Sequence, residues 1–172
     1  MLYFLPLIFF ALLLLGGCQN SQPIEYRSCL SPATSIIHEL AQQSFRDETL
    51  KHEVARLEIE SFTEFPQKSD KEAELNFRIV FSALRKTTQS KLNGNFFIAI
   101  TDQKENPLLK KIFPLEIIFE GKKKFQRKIT EVTIPVPLKL MDQCEKYKVF
   151  IGFDLRGEEL ERNLRRLGQK TP

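Results

Sequence analysis

The chain has 172 residues, 42% of them hydrophobic, with 26 Lys and Arg against 22 Asp and Glu for a formal charge of +4. That length suits one domain with a real core. So small an excess, with both signs interspersed, argues against a nucleic-acid partner.

Residues 1 to 17 carry no charge, and from Leu2 to Leu15 only Tyr3 and Pro6 interrupt an aliphatic and aromatic run. The run is shorter than the roughly 20 residues of a membrane-spanning helix. It fits the apolar segment of a secretory signal, which ends in small residues at its cleavage site. Leu15-Gly16-Gly17-Cys18 resembles the lipobox of bacterial lipoproteins. In that family the thiol takes a diacylglycerol through a thioether, the leader is cut before the Cys, and the new amino terminus receives an N-acyl chain. Small residues before the Cys let the backbone enter a protease cleft. Several chains on one residue anchor stably because each buried CH₂ contributes about 0.8 kcal/mol. The leader departs from the pattern in having no Lys or Arg after Met1, and an uncleaved signal anchor or plain signal peptide is the alternative. The resemblance implies a signal peptide at 1–17, a lipidated Cys18 with a tether over 18–30, and one β-rich domain over 31–172. Gln19 in place of Asp after the Cys implies the outer membrane, periplasmic face.

With Cys18 lipidated, Cys29 and Cys144 remain in a compartment that permits disulfides. They read either as a bridge closing a loop of more than 100 residues or as two free, half-buried thiols. Even with His38 they are too few for a structural zinc site, so no metal is expected.

Ser31-Pro32 reads as a helix N-cap and first-turn proline, and Ile36, Ile37, Leu40 and Ala41 recur at helical spacing. The spacing predicts a short amphipathic helix over 32–44. From Val54 the period becomes two: Ala55, Leu57 and Ile59 alternate with charged residues in a half-buried strand. Residues 66–70 read as a polar turn. Ala73, Leu75, Phe77, Ile79, Phe81 and Ala83 then hold one face of a long second strand. Asn93-Gly94 reads as a turn, and residues 95–101 (NFFIAIT) as a central strand apolar on both faces. A turn follows at 102–107, then a strand or strand pair over 109–120 interrupted at Pro114.

In 125–136, Phe125 and Ile129 share one parity while Val132, Ile134 and Val136 share the other, which predicts a bulge near Thr130. Pro135 and Pro137 lack N–H groups that would point to the same side, so this stretch belongs at a sheet edge. The last strand runs over 147–155. Leu160, Leu164 and Leu167 then stripe a terminal helix with Glu158–Arg162 and Glu161–Arg165 pairs and Gly168 as its stop. Six or seven strands without βαβ alternation predict a mainly β fold: an antiparallel β-sandwich of immunoglobulin-like architecture, with a short N-terminal and an amphipathic C-terminal helix.

Residues that could carry chemistry are few. There is no Gly-rich phosphate loop, nucleophile elbow or His pair at metal spacing. His38 and His52 read as solvated or capping residues, and Asp154 as a strand-end turn residue. Lys122, Lys123, Lys124, Arg127 and Lys128 form the one local charge excess. They read as a solvated face or as a docking patch for lipid head groups or an acidic partner.

The mature chain resembles a family of small alphaproteobacterial lipoproteins with no assigned activity. The matching residues are the lipobox, Cys29 with Pro32, FFIAITD at 96–102, Lys110-Lys111 to Phe113, EVTIP at 131–135, and VFIGFDL at 149–155 followed by EELERN. The family pattern puts a second Cys near the first hairpin, whereas here Cys144 precedes the last strand, so the partner of Cys29 stays open. The resemblance implies a periplasm-facing sandwich and no reaction or cofactor beyond the lipid on Cys18.

These readings converge on a non-enzymatic outer-membrane lipoprotein, an adaptor or envelope assembly factor held by its lipid anchor and contacting an envelope protein. The alternative is a periplasmic ligand-binding or hydrolytic domain with a site assembled from dispersed residues. A third use of the chain would have the terminal helix dock a partner.

Overall fold

The computed structural model describes residues 31–168 except 48, 50, 51 and 70. Residues 1–17, expected from the sequence to be a signal peptide, lie outside the described residues, as do Cys18 and Cys29. Alternation decides the architecture. In β3 (Glu53–Lys68) and β4 (Ala73–Arg85), every second residue of the predicted stripes is buried, from Ala55, Leu57 and Ile59 to all six positions between Ala73 and Ala83. The two strands pair antiparallel, with a bulge between Ile59 and Ser61.

β2 (Gln42–Arg46) joins β3 on one side and β7 (Phe125–Val136) joins β4 on the other, giving the sheet β2-β3-β4-β7. The facing sheet is β1-β8-β5-β6, from β1 (Ala33–Ile36), β8 (Tyr147–Phe153), β5 (Lys91–Asp102) and β6 (Pro107–Ile118). All pairings are antiparallel except β1 with β8. The fold is therefore a mainly β, two-sheet sandwich around one core. Phe81, Phe96 and Phe153 meet at its centre, with ring centroids 4.9 Å (Phe81–Phe96) and 6.1 Å (Phe81–Phe153) apart.

Several sequence expectations give way. Residues 32–44 form no helix. They form β1, a 3₁₀ turn at His38–Leu40 and β2. Thr34 and Ile36 are β-branched and lie beside Val149 and Ile151 in the ladder. That pairing offers more buried contact than an isolated short helix, and the apparent helical spacing belongs to the turn. Residues 66–68 extend β3, and the turn falls after them, where the Ser69 amide donates to the Glu72 carbonyl.

Asn93-Gly94 is no turn but the interior of β5. A Cβ on Gly94 would stand 2.5 Å from Gln43 Oε1 and 2.9 Å from Leu57 Cδ1, so the glycine marks close approach of the opposite sheet. β6 passes through Pro114 without interruption, as an edge strand tolerates. No bulge occurs in β7; its register with β4 is continuous from Phe125 to Val136. A short α1 (Leu138–Asp142) follows β7, unanticipated because five residues carry too little periodicity.

Other expectations hold. β5 is interior to its sheet and buried from Phe96 to Thr101. β7, with Pro135, is an edge strand. α2 (Gly157–Arg166) carries the Glu158–Arg162 and Glu161–Arg165 pairs at 3.8 and 3.7 Å, and Gly168 after it has φ 72°. Its stripe lies on the side of the helix turned toward the domain. Leu160, Leu164 and Leu167 are half-buried, and Asn163 donates from Nδ2 to the Glu39 and Gln42 carbonyls, both at 2.8 Å.

Gly152 offers a test of this packing. A Cβ there would meet Leu40 Cβ at 2.8 Å and the Phe97 ring at 3.2 Å. Gly152→Ala is expected to lower stability by about 1–3 kcal/mol, because neither neighbour is a flexible chain end. Urea denaturation checks it, and an unchanged midpoint would refute it.

Candidate functional site

The sandwich has two poles. One gathers Ser31, the ends of β5 and β7, the start of β8, and α1. The other gathers the start of β5, the end of β6 and the start of β7. β7 alone spans 12 residues, so the poles are roughly 40 Å apart. The predicted basic cluster sits on the second pole, in and after the 119–124 connection.

The structure brings its five cations together but does not leave them equivalent. Lys123 pairs with Glu120 at 2.6 Å and Arg127 with Glu60 at 2.8 Å. The Lys128 ammonium donates to the Glu116 carbonyl at 2.8 Å. The Lys122 and Lys124 ammonium groups have no partner among the described residues. Each pair lies in solvent and contributes little to stability.

Two exposed apolar side chains of β7 accompany these cations, Phe125 at 48% exposure and Ile129 at 60%, while the exposed Ile118 follows the inward Ile117 on the other sheet. Phe125 and Ile129 point outward beside Leu84 and Val80, and Arg127 lies over the Phe125 ring at 5.5 Å. The parity break in residues 125–136 was their signal. It reports outward apolar residues in a straight strand, not a bulge.

Beneath the connection lies a residue that composition hides. Arg85 is 5% exposed at the end of β4. Its guanidinium donates to the carbonyls of Lys123 (2.9 Å), Gly121 (2.6 Å) and Gln89, and it stacks on Phe119 at 4.6 Å. The Arg85 amide also donates to the Lys124 carbonyl at 2.8 Å. A planar fork of five donors suits this spread of carbonyls, which one ammonium could not span. Arg85 thus fixes the backbone that presents Lys122 and Lys124.

The remaining candidates are placed differently. His38 and His52 are exposed. Asp154 is paired with Lys110 at 2.8 Å. Cys144 is fully buried and disulfide-bonded, its partner sulfur lying outside the described residues. The reading of Cys144 as a free, half-buried thiol is therefore wrong. No group of three or more His, Cys, Asp or Glu able to hold a metal occurs among the described residues. No helix among them is long and apolar enough to cross a membrane.

A polar cavity of about 180 Å³ under α2 gathers Arg46, Glu53, Glu159, Arg162 and Arg166 beside Ser44. Ser44 donates to Glu53 at 2.8 Å, which superficially suggests a nucleophile and its base. Burial raises the Glu53 pKa, but the Ser44 hydroxyl and the charges of Arg56 and Lys86 together hold it below the usual carboxylate range. A carboxylate so stabilised is a poor proton acceptor.

The same shift has a pH consequence. Because the folded pKa lies below the unfolded one, Glu53 adds stability above the unfolded value of about 4.3 and loses it as pH falls through the folded value. Glu53→Gln is expected to melt below the wild type at pH 7, with the gap closing on acidification through the carboxylate range. Thermal melts across pH check it; a gap constant into acid would refute the assignment.

No protein-family profile matches the chain, and neither the curated proteins nor the solved structures contain a match to it.

Proposed function

We propose that this protein is a non-enzymatic envelope lipoprotein, anchored in the outer membrane through acyl chains on Cys18. In this reading it faces the periplasm and acts as an adaptor or assembly factor. Its working surface is the basic tip formed by Lys122 and Lys124 with Phe125 and Ile129. The observation that carries this is the tip's position. The described chain enters at Ser31 near the opposite pole, where Ser31 and Thr34 donate to Glu64, so a domain tethered there holds its cations away from the tether. Paired and unpaired cations interleaved with exposed aromatic and aliphatic groups suit an acidic protein surface that also buries apolar area.

The likeness to an immunoglobulin domain extends to the two-layer arrangement. In that fold the last strand lies beside the penultimate one, whereas β8 here lies between β1 and β5.

Globomycin tests the anchor: the precursor should accumulate, and Cys18→Ser should leave the membrane fraction. If neither occurs, the lipoprotein reading fails. Cross-linking in the envelope from a photoreactive residue at 125 tests the tip. Lys122→Glu with Lys124→Glu should abolish the adduct, and an adduct indifferent to both substitutions would remove the docking role.

A further inference from the structure

The pole opposite the basic tip holds an apolar cleft of about 340 Å³ between the edge strands β6 and β7. Leu108 and Leu109 line one side and Pro135, Val136 and Pro137 the other, with the buried Ile100 and Leu140 between them. Two residues with polar side-chain ends share this lining, the exposed Lys139 and the half-buried Tyr147. Neither polar end has a hydrogen-bond or ion-pair partner among the described residues.

We propose that this cleft binds a long-chain fatty acid, its acyl chain between β6 and β7 and its carboxylate against Lys139 and Tyr147. Three observations select this occupant. The volume lies at the lower end of small-molecule sites, and a mostly apolar wall with few polar groups is their usual make-up. An added peptide strand is disfavoured, because Pro135 offers no N–H on edge strand β7 and Pro137 turns the chain into α1 directly after it. An acyl chain asks no hydrogen bonds of that wall. One unpaired cation and one phenol at the cleft then complement one carboxylate, through a charge-assisted hydrogen bond.

The test uses cells expressing the full chain. They are fed a fatty acid carrying a diazirine in its chain and a terminal alkyne, irradiated, and the labelled peptides mapped. Label is expected on peptides containing residues 107–111 and 135–147, competed by excess unlabelled fatty acid. Leu108 is 56% exposed, so Leu108→Asp should fold normally while placing a charge at the cleft; it should cut labelling at least tenfold. Lys139→Gln should reduce labelling by the acid but not by its methyl ester, and Ile129→Asp at the other pole should change neither. Label confined to other peptides, or undiminished in Leu108→Asp, overturns the proposal. Equal loss of acid and ester in Lys139→Gln overturns the carboxylate assignment.

Discussion

Removing the Cys144 disulfide should lower the unfolding free energy by about 4–5 kcal/mol and the melting temperature by roughly 10 °C. Whichever of the other two cysteines is the partner, the loop it closes exceeds 100 residues, so the loss of denatured-state constraint is nearly the same. The chain-entropy account gives the upper part of that range, and native-state strain would reduce it. Cys144 itself has no exposed surface. The measurement is denaturant unfolding of Cys144→Ala paired with Cys29→Ala, which leaves Cys18 in place. Disulfide mapping of the wild type is its companion. A bridge from Cys144 to Cys29 leaves Cys18 for lipid, whereas a bridge to Cys18 would end the anchor reading. A double variant as stable as the wild type would show that the bridge constrains little.

The strands whose alternation faces one core were legible in the sequence, because burial on a single face imposes a period of two that no helix satisfies. β4 is the clearest case, with every predicted inward position from Ala73 to Ala83 buried. Where two structures share a local pattern, the sequence underdetermined the outcome. Residues 32–44 have a helix's spacing, yet β1 gains a ladder partner in β8, at the far end of the chain, which no local window contains, while β2 pairs with the neighbouring β3. Asn93-Gly94 has a turn's composition, but the glycine serves contact with Gln43 and Leu57 across the sandwich.

The basic tip was half legible. Its cations stood out as a cluster, but three of the five are tied to Glu120, Glu60 and the Glu116 carbonyl. Its apolar half was misread, since outward Phe125 and Ile129 break parity just as a bulge would. The apolar cleft was not legible, because it is built from five separate elements.

Arg85→Met should cost about 3 kcal/mol and loosen residues 119–124 while the sandwich stays folded. The alternation of β4, carried one step beyond Ala83, places residue 85 inward, so an inward charge could have been anticipated there. Its stability rests on carbonyl dipoles, since no carboxylate pairs with it among the described residues. Methionine fills much of the volume beside Phe119 but donates nothing, so three carbonyls must find water or stay unsatisfied. Water can reach part of this exposed loop, which keeps the cost below three full desolvation penalties. Arg85→Lys should recover little, because a point charge cannot reach three divergent acceptors. Hydrogen exchange separates local from global effects: the amides of Phe119 and Lys123 should lose protection in Arg85→Met, while those of Ile98 and Ile151 keep theirs. If the tip works as proposed, the same variant should weaken cross-linking from position 125 with every cation still present. Unchanged loop exchange and an unchanged melt would show that Arg85 merely fills space.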